Sequence, residues 1–209
     1  MRPPAAAKGV EPATAQRTDA LSVFIGGSRI FAADVVFVEQ FYMNTYDLIT
    51  LFEYNRWANE RIVRYSARVS RKQLTAPDKL SHGSLLRSLI HLADVEWSWR
   101  LACQTGKLPA DYITEAQCPD IPALRQFWRD EMETMLAYVR SLSDEQVKGP
   151  TRYTVPRGTK IRTKLLWQVL VHIANHGTHH RGEIGHYLAR CGHSPGDLDF
   201  LDYIAKHTQ

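Results

Sequence analysis

The stretch from about Thr163 to Arg190, containing LLWQVLVHIANHGTHHRGEIGHYLAR, constrains the fold more than any other part of the chain. Its apolar residues recur at helical spacing, and it stops at Gly192 and Pro195. Five of the nine histidines fall between His172 and His186. His172, His176 and His180 step by four residues and therefore share one helical face, with His179 and Glu183 flanking it. Two imidazoles at i and i+4 can converge on one metal ion. Three on one helix cannot, because His172 and His180 lie roughly 12 Å apart along the axis and ligand bonds are about 2 Å. A third donor must come from a second helix, so the chain has to place long helices face to face across a core.

Three further helical patterns supply those partners. The first runs from about Tyr46 to Val69, with Leu48, Leu51, Phe52 and Ile62 near helical spacing. The second is expected to start at Ser81 as a cap and to run to about Cys103, ending at Gly106 and Pro109. The third runs from Ile121 to Leu142, with Pro122 suited to its first turn and Leu124, Trp128, Met132 and Val139 on its core stripe. A last short helix is expected between Leu198 and Lys206. Between the third and fourth patterns, Tyr153, Val155 and Ile161 could form a short hairpin. No strand–helix alternation and no Gly-rich phosphate loop is present. The expected class is all-α, a four-helix bundle with a short extra C-terminal helix.

Composition sets the remaining bounds. The chain has 209 residues, 44% of them hydrophobic, and a formal charge of +4. It is therefore long enough for one self-sufficient core and too weakly basic for its charge alone to imply nucleic acid. Residues 1–42 are Pro- and Ala-rich or irregularly patterned and read as a flexible extension ahead of a domain at 43–209. A helix near Asp34–Gln40 is the alternative for that segment. The three cysteines, Cys103, Cys118 and Cys191, form no CxxC pair and suit a reducing compartment. No apolar run reaches the roughly 20 residues that span a bilayer. The start lacks the basic, apolar and small-residue segments of a signal peptide, so a cytoplasmic protein is expected.

The second helix carries the candidate third donor. His91 lies in SLLRSLIHLADVEW, with Ser84, Ser88 and Ser98 on its face, small side chains that would leave room for an ion and its water. His91, His176 and His180 meet the specification of a catalytic site, three protein ligands and an open position. A single histidine on an amphipathic helix is more often packed or solvated than ligating. Four histidines within nine residues of a core-like helix demand a reason, because unpartnered buried imidazoles are costly.

Tyr54-Asn55-Arg56-Trp57-Ala58-Asn59, His91, Asn175-His176-Gly177-Thr178-His179-His180-Arg181-Gly182, and the tail from Gly192 to Tyr203 with Pro195, Asp197 and Asp199 are similar to the DinB/YfiT-like family, a superfamily of candidate metalloenzymes. The resemblance runs from about Met43 to Ile204. It implies a four-helix bundle with a three-histidine divalent metal site, its ligands falling on His91, His176 and His180. The family commonly has Gln where this chain has Glu183, a carboxylate placed to take a proton or to orient a ligand.

The chemistry open to such a site is bounded by what is missing. Gly177 follows His176, so the base of an HExxH metalloprotease is absent. A histidine-held ion lowers the pKa of bound water or binds a thiolate. The resemblance implies a thiol-dependent S-transferase, which conjugates a low-molecular-weight thiol to a small electrophilic substrate. A metal-dependent hydrolase and a non-catalytic, DNA-damage-associated metal-binding protein are the alternatives. Imidazole suits zinc, nickel and iron alike. The basic run Lys148 to Lys164 could line the site mouth, although a solvated loop is the simpler reading, and it lacks the interleaved aromatics of a nucleic-acid surface. Trp- and Leu-rich helix faces suit core packing, and also a homodimer interface.

Overall fold

In the computed structural model the described residues are 24–25, 28–29, 43–156, 158 and 160–207. They fall in two units, residues 1–41 and 42–209. In the first, β1 (Phe24–Ile25) pairs antiparallel with β2 (Ser28–Arg29). The helix weighed for Asp34–Gln40, and the flexibility expected of the rest of residues 1–42, lie outside the described residues.

The second unit begins with α1 (Thr45–Ser66). Asn44 caps it reciprocally: its side chain accepts the Asp47 N–H at 3.0 Å and the Asp47 carboxylate accepts the Asn44 N–H at 3.1 Å. The five-residue α2 (Arg71–Thr75) follows. Next comes α3 (Leu85–Thr105), whose cap is Ser84, accepting the Arg87 N–H at 3.2 Å. Ser81, the cap expected from sequence, lies outside the helix. Gly83 sits between the two serines at φ 79°, a conformation that ends any helix started at Ser81. α4 (Ile121–Arg140) is capped by Asp120 and has Pro122 in its first turn. The five-residue α5 (Asp144–Lys148) leads into an antiparallel hairpin, β3 (Pro150–Thr154) and β4 (Ile161–Leu165), in the register Pro150 opposite Leu165. That hairpin claims Thr163–Leu165, so α6 spans Leu166–Arg190, and α7 (Phe200–His207) closes the chain.

Packing sets the direction of each long helix. α1 touches α4 and α6, and α3 touches the same two helices. One apolar cluster joins Ile62 of α1 to Leu85 and Leu89 near the start of α3, Leu124 near the start of α4 and Leu188 near the end of α6. A second joins Leu48, near the start of α1, to Met135 and Val139 late in α4 and Leu170 early in α6. Hence α1 and α6 run one way and α3 and α4 the other, a four-helix bundle in which the parallel pair α3 and α4 needs the long return segment 106–120. No helix among the described residues is long and apolar enough to cross a membrane.

Candidate metal centre

Helix α6 presents His176 and His180 one turn apart, and α3, packed against it, presents His91. The Nε2 atoms of His91 and His176 face each other at 3.2 Å. The ring centroid of His180 lies 4.9 Å from that of His91 and 4.5 Å from that of His176. The rings of the three histidines singled out in the sequence thus lie side by side between two helices, with the closest ligating atoms those of His91 and His176. A fourth ring joins them. His82, which precedes α3, stacks on His91 with centroids 3.7 Å apart, and one ring nitrogen from each of His82, His91 and His180 lies within 4.8 Å of the others.

The cluster suits a cation better than protons. Two facing imidazole nitrogens can share one proton between them, and a second is repelled. Burial, followed by the charges that His82, His176 and His180 would carry, pushes His91 down to about 3. Burial, followed by His180 and His172, pushes His176 down to about 4. At neutral pH both rings are held neutral, the form that binds a metal. His176 Nδ1 is also buried with no hydrogen-bond partner, a cost that a purely structural histidine would avoid. Neutral imidazoles gathered from facing helices fit a borderline first-row divalent ion such as zinc, nickel or iron.

A sequence profile of the DinB family matches residues 42–209, nearly all of the helical unit. The chain belongs to the DinB family. It is also similar to a protein of Bacillus subtilis (strain 168) called Protein DinB, 24% identical over 167 residues that cover 74% of this chain and 91% of that protein.

In this DinB-family protein Glu183 is already engaged. Its Oε2 meets His180 Nδ1 at 2.9 Å, and its other carboxylate oxygen accepts the Ser81 hydroxyl. Chiefly the Ser81 hydroxyl, and then His180, hold its carboxyl below the usual range. The arginines nearby on the same helix are engaged elsewhere: Arg190 reaches Asp78 and Arg181 turns into the core. A carboxylate on Nδ1 leaves Nε2 of His180 as the nitrogen available for a metal. Of the small residues expected around His91, Ser88 is buried and donates to the Ser84 carbonyl at 2.9 Å, while the Ser98 hydroxyl is buried without a partner. His172 is exposed and packs edge-on to Trp99. The basic hairpin pairs with Gly106–Leu108 at the far end of α3, roughly 22 Å along the axis from His91. Arg152, Lys160, Arg162 and Lys164 are exposed there, which makes the run a solvated surface rather than a site mouth.

A second polar cluster, also within the bundle, engages Asn55, Asn59, Thr178 and Arg181. Glu96 of α3 is buried and accepts from Asn55 Nδ2 at 2.6 Å, Asn59 Nδ2 at 2.7 Å and Trp128 Nε1 at 2.8 Å. Arg181 donates to the Oδ1 atoms of the same two asparagines at 2.5 and 2.8 Å and to Thr178. Gly177 belongs to this arrangement. A Cβ there would meet Arg181 Nη1 at 2.6 Å and Asn55 Oδ1 at 3.0 Å, so the residue after His176 is glycine because the guanidinium needs the space. Sequence reasoning missed Glu96, whose partners are distant in the chain, and His82, which sits on no periodic stripe.

Proposed function

We propose that this DinB-family protein is a metal-dependent enzyme that holds one divalent ion on His91, His176 and His180 and transfers a small electrophile to the sulfur of a low-molecular-weight thiol. The observation that carries this reading is the pair of Nε2 atoms of His91 and His176 at 3.2 Å, both rings held neutral by burial, with the His180 ring beside them. A bound ion of this kind acts as a Lewis acid and favours an anionic sulfur or oxygen over its protonated form. The protein's own residues do the rest. Glu183 fixes the ring of His180 through Nδ1, and a cavity of about 350 Å³ lined by His82, His91, Tyr112 and Thr114 gives a small molecule access.

Transfer to sulfur suits the site because a bound ion would favour the thiolate, the thiol proton passing to solvent as sulfur binds, so the bond-forming step would need no separate base. Glu183, tied at both oxygens, is a positioning residue in this reading. One observation favours hydrolysis as a second reading. Asp94 lines the same cavity, and burial raises its carboxyl, although its Oδ1 accepts the Ile113 N–H at 2.8 Å. Asp94→Asn separates the two, since a hydrolase loses turnover and a thiol transferase keeps it. The reading as a whole is tested by metal content and by metal-dependent consumption of a small thiol in the presence of an electrophile. Activity that survives complete chelation overturns it.

A further inference from the structure

His82 is built into the molecule in a way that a stray surface histidine is not. The segment between α2 and α3 is a tight loop. Gly83 donates its N–H to the Leu80 carbonyl at 2.8 Å, and the Asp78 N–H donates to the Gly83 carbonyl at 2.9 Å. Leu80 buries its side chain in the apolar cluster, and Ser84 caps α3 immediately beyond. Two ties fasten the loop to α6: Ser81 donates to Glu183, and Arg190 donates to Asp78 at 2.8 Å. The outcome is that the His82 ring lies flat on His91, at 23° between planes, and 5.2 Å from the centroid of His180. Among the described residues His82 makes no hydrogen bond to protein. Its ring is half-buried against two other imidazoles with its nitrogens uncommitted.

We propose that His82 is a fourth, loop-borne ligand that closes the metal site in the resting protein and can leave it. The inference rests on the metal reading above. Four side-chain ligands make a closed site, whereas three and an open position make a reactive one. Three of the four candidate ligands here are fixed on packed helices, and one is carried by a loop. Leu80 anchors this loop in the core, but its ties to α6 are exposed hydrogen bonds, so it opens at lower cost than the packed helices. His82 also lines the cavity that His91 lines, so its departure would uncover the site on the side from which a small molecule arrives. Glu183 is the natural latch, because one carboxylate touches both the loop, through Ser81, and a ligand, through His180.

The experiment uses the full chain stripped of metal and reloaded with Co²⁺, read by its visible absorption and by its affinity. His82→Ala is expected to alter the cobalt spectrum, to weaken binding roughly tenfold or more, by analogy with the loss that removing even a supporting residue causes, and to recover the original spectrum when free imidazole is added. His82→Phe keeps a flat ring to stack on His91 but offers no nitrogen. It is expected to show the same loss with no imidazole rescue. The melting temperature of the metal-free variants should match that of the metal-free parent, which separates ligation from folding. If both variants give the parent's spectrum and affinity while His176→Ala loses cobalt, the inference falls and the three-histidine site stands. If the parent chain takes up neither Co²⁺ nor Zn²⁺, both fall together.

Discussion

Two polar clusters sit inside the same bundle and meet at adjacent residues of α6, yet they solve the problem of burial in opposite ways. Around Arg181 every charge has a protein partner: the guanidinium faces two asparagine oxygens, and those asparagines, with Trp128, satisfy Glu96. Around His180 the set is incomplete. His91 and His176 point nitrogens at each other, His176 Nδ1 is orphaned, and only His180 has a carboxylate. The first cluster needs nothing more and holds the helices in register. The second leaves ring nitrogens that could hold a metal ion. Gly177, directly after His176, makes the first possible by leaving room for Arg181.

The largest expected effect tests the self-sufficient cluster. Arg181→Ala leaves two buried asparagine oxygens without their donor and the buried Glu96 without the nearby positive charge, and should cost about 3–5 kcal/mol of stability, the range for leaving a buried charge uncompensated. Urea denaturation measures it. A loss below about 1 kcal/mol would make the network ornamental and collapse the contrast.

Metal removal tests the other cluster. With free metal at a hundredfold excess over the dissociation constant, the loaded protein should be more stable by about 2.7 kcal/mol than the chelated one. His176→Ala should show almost none of that difference. If chelation lowers the melting temperature of both equally, the stabilising ion sits elsewhere.

The pH response of the metal-free protein is smaller, because these rings are only half-buried and water screens them. In the unfolded chain a histidine titrates near 6.5, while in the folded protein His91 is held at about 3 and His176 at about 4. Between these values the unfolded state binds more protons. Stability should therefore fall as the pH drops from about 6.5 towards 4, and this contribution should level off below about 3. Denaturant midpoints at pH 7.5 and 5 check it. A His91→Gln variant should show a shallower slope, and an equal slope would mean that the ring is not held neutral.

The smallest effect belongs to Glu183→Gln, which keeps the side chain's shape and weakens its hold on His180. Metal affinity should fall about tenfold, or about 1.4 kcal/mol, while the stability of the metal-free fold stays within about 0.5 kcal/mol. Unchanged affinity would place the carboxylate outside the metal site.

The four long helices were legible because each repeats its apolar residues over several turns, and periodicity needs that length to register. The five-residue α2 and α5 are too short to carry it. In sequence Ser81 looks like a cap because a serine before an apolar run is the same whether its hydroxyl turns back to the helix or across to Glu183, and only Ser84 makes the capping bond. In the candidate site, the i, i+4 spacing of His176 and His180 was visible on one helix, and His91 stood out as a histidine in a core-like stretch. His82 did not, since a loop histidine has no period to reveal it. The Glu96–Asn55 and Arg181–Asn55 contacts join residues 41 and 126 positions apart, pairings that local spacing does not encode.

The central claim is that the histidine cluster is completed by a metal ion. Equilibrium dialysis of the purified chain against dilute zinc, read as metal per chain, tests it most directly. One ion per chain for the parent protein, and none retained by His91→Ala or His176→Ala, is the result predicted. Equal zinc retention by the parent and both variants, or none by any of them, would contradict it.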